Sequence, residues 1–224
     1  MIKAVLWDLD GTLVDSAEFH WWAWRDIMAA EGAPITYEQF VQSFGKRNDL
    51  ILAGWFGADI DPARAERLGE TKEAHFRDLV RQHGVSPLPG VREWVTRLHG
   101  AGWRHAIATS APRANLEAVV DVMHMRHLFA AGVAAEDVTR GKPDPEVFLL
   151  AAQRLGAEPR SSIVVEDAPT GIEAGRRAGM RTIGVSLMHN LTQADVCVGT
   201  LEELEPDAFE RLITGAGDRE SETS

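Results

Sequence analysis

The chain has 224 residues, enough for one large core with an insertion or for a domain of about 150 residues and a smaller companion. Apolar residues at 45% and charged residues at 25% exclude a disordered or membrane class, and 34 acidic against 23 basic residues give a net charge of -11. With that charge and no basic patch to override it, nucleic acid is not an expected partner.

From the N-terminus, the first short apolar run is Ala4 to Trp7, and the charged Asp8 follows too soon for a signal segment. No later apolar run reaches about 18 residues, so no membrane partner is expected and the location is read as cytoplasmic. The run delivers Asp8-Leu9-Asp10-Gly11-Thr12 into a turn, and two carboxylates two positions apart project to the same side of a strand. Alone, such a pair equally serves the backbone donors of a turn.

From Asp15 to Val85 the spacing is helical without a convincing strand, in the pieces Phe19 to Ala30, Tyr37 to Ser43, Leu50 to Phe56 and Ala63 to His83. Gly45, Gly57 and Pro62 punctuate them, and Ser86-Pro87-Leu88-Pro89-Gly90 marks a return, so this segment is expected to be a helical insertion. Beyond it, apolar runs recur at His105 to Thr109, Ala130 to Ala135, Ile163 to Val165, Thr182 to Val185 and Val196 to Val198. Between them lie helical stretches at Val91 to Leu98, Leu116 to Met123, Val147 to Leu155 and Ile172 to Met180. The alternation predicts an α/β fold with a doubly wound, mainly parallel, Rossmann-like sheet of buried strands. Cys197, the single cysteine, is expected as a small buried hydrophobe in the run Ala194 to Val198. The tail from Gly215 to Ser224 is small and polar and is expected to be disordered.

In open sheets of this kind ligands bind beyond the carboxyl ends of the strands, so polar residues there are the site candidates. Thr109-Ser110 ends the second strand, and Pro112 opens a helical segment whose free N–H groups can hold a phosphate oxygen. Plain helix capping would account for the same pair. Lys142 lies in Gly141-Lys142-Pro143-Asp144-Pro145, where prolines stiffen the loop and Asp144 can cap the next helix. A solvated surface role is the plainer alternative for this lysine. Glu166-Asp167 ends the fourth strand, and oxygen-only ligands of this type suit magnesium, although Asp167 could instead cap the helix at Pro169.

In this order the motifs Asp8 to Thr12, Ala108-Thr109-Ser110, Gly141 to Pro145 and Val165 to Gly171 resemble those of the haloacid dehalogenase superfamily over nearly the whole chain. The helical insertion is similar to the small cap of the subfamily that includes β-phosphoglucomutase and phosphoglycolate phosphatase. The resemblance implies a core domain over 1–14 and 88–216 and a helical cap domain over 15–87, and the polar tail over 217–224 is expected to be disordered. It implies Asp8 as the nucleophile that forms an aspartyl phosphate, with Asp10 as general acid and base. It further implies magnesium held by an Asp8 oxygen, the Asp10 carbonyl and Asp167, with Glu166 supporting the metal shell. Thr109, Ser110 and Lys142 would gather the phosphoryl oxygens. Members that cleave carbon–halogen bonds lack the second aspartate of the first motif, so Asp10 speaks for phosphate esters.

Asp15 to His20, Trp24 and Lys72 look like the corresponding cap residues of β-phosphoglucomutase, which implies a phosphosugar. The mutase's cap arginine stands three residues after a glycine, whereas Asn48 stands there after Gly45, with Lys46 and Arg47 displaced. The expected function is a magnesium-dependent phosphatase acting on a small phosphorylated metabolite, a sugar phosphate. The alternatives are a β-phosphoglucomutase-like mutase and, more remotely, a non-catalytic phosphate-binding regulatory protein. His20, Lys46, Arg47 and Lys72 are substrate candidates, with packing or solvation as their alternatives, and Trp21, Trp22 and Trp24 are expected to pack. A monomer or weak homodimer is expected.

Overall fold

The computed structural model describes residues 1–43, 46–186 and 189–215. Gly45 and the tail beyond Gly215 therefore lie outside the described residues. In chain order the elements are β1 (Ala4–Trp7), α1 (Ala17–Ala30), α2 (Tyr37–Ser43), α3 (Asn48–Phe56), α4 (Pro62–His83) and α5 (Val91–Gly100). There follow β2 (Arg104–Ala108), α6 (Arg113–Val122), β3 (Ala131–Val133), α7 (Glu146–Leu155), β4 (Ser162–Glu166), α8 (Pro169–Arg177), β5 (Arg181–Val185), β6 (Val196–Val198) and α9 (Ala208–Thr214).

The strands form one parallel sheet in the order β3-β2-β1-β4-β5-β6. β1 is a continuous apolar run because it is central and buried on both faces. Its odd residues Val5 and Trp7 join one cluster with Ile107, Ile163, Val165 and Ile183, covered by Trp94 and Val95 of α5 and Val119 of α6. Its even residues Ala4 and Leu6 join the opposite cluster with Ala106, Ala108 and Val164, covered by Phe148 and Ala152 of α7 and Ala174 of α8. Trp7 is in register with Ile107 on one side and Val165 on the other, so Asp8, Ala108 and Glu166 come next at one level of the carboxyl edge.

The helices α1 to α4 fill the segment between β1 and α5 and hold a third cluster built on Trp24, Met28, Phe40, Leu52 and Leu68. The long helix α4 starts at Pro62, with the Asp61 carboxylate accepting from the Arg64 N–H, and stops at Gly84. It serves both parts, because Leu68 belongs to the insertion's cluster while Phe76 and Val80 join the sheet's. The chain enters and leaves the insertion side by side: Val14 bridges Pro87, and the Leu88 N–H donates to the Leu13 carbonyl at 2.9 Å.

The edge of the sheet departs from expectation. β6 is half exposed rather than buried, and Cys197 is exposed, with its thiol donating to the Leu191 carbonyl at 2.8 Å. Val196 and Val198 turn to the α9 side of the sheet, and the alternation of a strand sends Cys197 to the other face. No helix among the described residues is long and apolar enough to cross a membrane.

Candidate active site

The carboxyl edge of the sheet collects the strand-end residues into one pocket. Asp8, Glu166 and Asp167 each offer a carboxylate oxygen, and these lie within 4.8 Å of one another. Lys142 reaches in from the loop before α7: its Nζ donates to Asp8 Oδ1 at 2.5 Å, Glu166 Oε1 at 2.7 Å and the Ala108 carbonyl at 3.1 Å. Two glycines admit the acids. A Cβ at Gly11, which sits at φ +84°, would collide with the Asp167 carboxylate, and one at Gly171 would collide with that of Glu166.

The charges here do not balance. Burial, reinforced by Glu166 and Asp10 and opposed by Lys142, pushes the Asp8 carboxyl up to about 8. Burial together with Glu166 and Asp8 pushes Asp167 up to about 9. Burial disfavours charge on Lys142, but Asp8 and Glu166 outweigh it and hold the ammonium well above its usual range. Three carboxylates facing one ammonium leave an excess of negative charge on oxygen donors, the chemistry that fits a hard divalent cation. The oxygens of Glu166 are already engaged, Oε1 by Lys142 and Oε2 by the Ala168 N–H at 2.8 Å. Asp167 receives no side-chain hydrogen bond among the described residues, so Asp8 and Asp167 are the acids with room for a metal. Asp167 does not cap α8, which has no side-chain cap; at that end Glu166 accepts only from the residue before the first turn.

Asp10 faces the other way. Its Oδ1 accepts from the Ser16 hydroxyl at 2.5 Å and lies 3.5 Å from His20 Nε2. His20 is stacked on Phe76 at 4.0 Å between ring centroids, and its Nδ1 is 2.8 Å from Lys72 Nζ. An ammonium can only donate, so Nδ1 is the acceptor and Nε2 carries the hydrogen toward Asp10. Lys72, 3% exposed, lies over the rings of Trp24 and Phe76 and donates to Glu73 Oε1 at 2.9 Å. Burial pushes Asp10 upward, but His20, the Ser16 hydroxyl and Lys72 together hold it below the ordinary carboxylate range. Burial and Lys72 hold His20 low, keeping the imidazole neutral.

Thr109 is buried at the end of β2, where its hydroxyl accepts from the Ala111 N–H at 3.0 Å, and Ser110 is exposed beside it. At the start of α6, one of the N–H groups expected to be free for a ligand is already taken. The Glu136 carboxylate takes the Arg113 N–H at 2.9 and 3.1 Å, the ordinary attraction of an anion to a helix N-terminus. Asp144 Oδ1 does cap α7, accepting from the Glu146 N–H at 3.0 Å. Lys46 and Arg47 are not brought to the pocket: both are exposed, and Arg47 pairs with Asp49 at 3.2 Å. Trp24 packs edge-on against Trp55, as expected of a core residue.

Three residues escaped the sequence. Glu73 lies one position from Lys72, and Asn48 and Asn115 donate to its two oxygens at 2.8 and 2.6 Å. The only advance signal for Glu73 was its charge beside Lys72; Asn48 stood out only as the residue in place of the mutase's cap arginine, and Asn115 gave none, since asparagine near a helix start usually means capping.

This arrangement has relatives. The model of the haloacid dehalogenase-like hydrolase family matches residues 2–179. Fructose-1-phosphate phosphatase YqaB of Escherichia coli (strain K12) is 34% identical over 187 residues, covering 82% of this chain and 96% of that protein. Hexitol phosphatase A of the same organism is 34% identical over 214 residues, covering 90% of this chain and 93% of that protein. Among solved structures, CbbY from Rhodobacter sphaeroides in complex with phosphate is 26% identical with a TM-score of 0.84, over 91% of this chain and 96% of that one.

Proposed function

The chain belongs to the haloacid dehalogenase-like hydrolase family, and from that premise we propose that it is a magnesium-dependent phosphatase of a small phosphorylated sugar or sugar alcohol. The observation that carries this reading is the opposite environment of two aspartates on one turn. Asp8 lies among acids with Lys142, and Asp10 lies among hydrogen-bond donors with His20.

Asp8, at the end of the central strand, attacks phosphorus; the ester P–O bond breaks and an aspartyl phosphate forms. Asp10 gives its proton to the departing alkoxide. In the substrate-free chain Asp10 is held ionised, and a dianionic phosphate arriving beside it favours the protonated form from which it acts as acid. Once the alcohol has left, ionised Asp10 takes a proton from water, whose oxygen attacks phosphorus, releases inorganic phosphate and restores Asp8. Lys142, Thr109 and the backbone at Ser110 hold the phosphoryl oxygens as their charge grows. Asp8, the Asp10 carbonyl and Asp167 would hold magnesium, which when bound would supply the positive charge that lets a carboxylate approach a phosphate dianion. Glu166 aims Lys142 rather than binding the metal directly. The insertion, residues 15–87, acts as a cap that closes over the pocket and brings His20 and Lys72 with it.

A mutase must grip a second phosphate, and Asn48 stands where β-phosphoglucomutase has its arginine. Its amide is tied to Glu73 at 2.8 Å, so a carboxylate occupies ground where a second phosphate needs a cation. Hydrolysis follows. The test is phosphate release from hexose and hexitol phosphates with and without magnesium. Magnesium-dependent release is expected, and no turnover across the panel rejects the proposal. With β-glucose 1-phosphate and a bisphosphate primer, isomerisation outrunning phosphate release would make the chain a mutase instead.

A further inference from the structure

Every member of the chain Asn48, Glu73, Lys72 and His20 belongs to the helical insertion. Asn115 does not: it lies on α6, the helix that follows the Thr109-Ser110 strand end. It is 1% exposed, and both ends of its amide are used on α4. Nδ2 donates to Glu73 Oε2 at 2.6 Å, and Oδ1 accepts from Arg77 Nη1 at 3.0 Å. Residues four apart on a helix share a face, so one amide meets both at once. Its orientation is fixed by charge, because the flipped amide would turn its oxygen to a carboxylate and its NH2 to a guanidinium.

We propose that Asn115 is a positioning residue, which seats the Glu73 carboxylate when the insertion rests on the sheet domain and thereby sets Lys72, His20 and the hydrogen facing Asp10. This rests on the functional reading above. Glu73 gives the buried Lys72 its carboxylate partner, and Lys72 in turn fixes which nitrogen of His20 carries the hydrogen. Without the grip of Asn115, Glu73 turns from Lys72, the ammonium leaves Nδ1, and the imidazole can present a lone pair to Asp10. The contact forms only with α4 seated on α6.

The test uses Asn115→Leu, which keeps volume and removes both hydrogen bonds, and Glu73→Gln, which keeps shape and removes the charge. Each is compared with wild type for kcat/KM on p-nitrophenyl phosphate, whose leaving group needs no acid, and on a hexitol phosphate, whose alkoxide does. General acid assistance is worth about 10²- to 10⁴-fold, so misplacing it should lower the hexitol phosphate value at least about tenfold more than the aryl value. Equal losses on the two substrates, or none, would overturn the proposal, since a merely structural contact does not read the leaving group. The second readout needs no turnover: nitrogen chemical shifts of the His20 ring at fixed pH. Wild type should show hydrogen on Nε2, and both variants should lose that single tautomer. Shifts that stay unchanged overturn the proposal. Lost tautomer in a protein that hydrolyses no ester would retain the positioning role and reject only the phosphatase reading.

Discussion

Asp8 and Asp10 stand on the same turn, yet they belong to regions with opposite charge economies. The pocket of Asp8, Glu166 and Asp167 has more negative charge than Lys142 can balance, and two of its acids are pushed up to about 8 and about 9. The chain from Asp10 through His20, Lys72 and Glu73 to Asn115 alternates acceptor and donor, and its carboxyls are held low. Under the proposed function the first region is completed by a cation and a phosphate; the second is complete within the protein. A carboxylate's job here follows from its neighbours rather than from its place on the turn.

Asp8→Asn removes the attacking oxygen from the unbalanced region. Turnover should fall by about 10⁴-fold or more, while the metal-free melting temperature does not drop, since the amide resembles the protonated acid already favoured there. Asp10→Asn breaks the balanced region. Hexitol phosphate hydrolysis should fall about 10²- to 10⁴-fold, with inorganic phosphate still bound in the presence of magnesium, as calorimetry can check.

Lys142→Ala leaves buried Glu166 without its cation. Chemical denaturation should show a loss of about 3 kcal/mol, larger than any surface charge deletion.

The pH response separates the regions further. The folded metal-free chain keeps protons on Asp8 and Asp167 above the ordinary aspartate value of 3.8. Their contribution to stability is therefore full below that value and declines as pH rises through about 8. Magnesium competes with those protons, so its stabilisation should grow with pH, reaching about 2.7 kcal/mol where its concentration is a hundredfold above Kd. A melting-temperature gain no larger at about pH 8 than at about pH 6 would contradict the assignment of these acids as the metal site. The smallest effect belongs to Lys46→Ala with Arg47→Ala, which should change kcat/KM less than about threefold and stability by less than about 0.5 kcal/mol.

The two regions also differ in how far the sequence discloses them. Asp8, Thr109 and Asp167 each follow a buried strand, and the parallel sheet brings strand ends together without further instruction, while Lys142 stood out by its proline-stiffened loop. The chain from Asp10 to Asn115 depends on contacts that periodicity does not carry. His20 meets Lys72 across 52 residues within the insertion, and Glu73 meets Asn115 across 42, where a helix of one part lands on a helix of the other. Central strands were legible because burial on both faces leaves an unbroken apolar run. Edge strand β6 was misjudged for the same reason: Cys197 looks apolar in the run but faces outward at the rim. The Glu136 contact at the α6 terminus escaped notice because Glu136 comes from the loop after β3, 23 residues on.

The most direct test of the central claim is to mix the magnesium-loaded protein with a radiolabelled hexitol phosphate, quench in acid within milliseconds and map the labelled peptide. The account predicts acid-stable label on the peptide carrying Asp8, absent in Asp8→Asn and longer-lived in Asp10→Asn. Turnover with no label at Asp8, or with label on another residue, would contradict it.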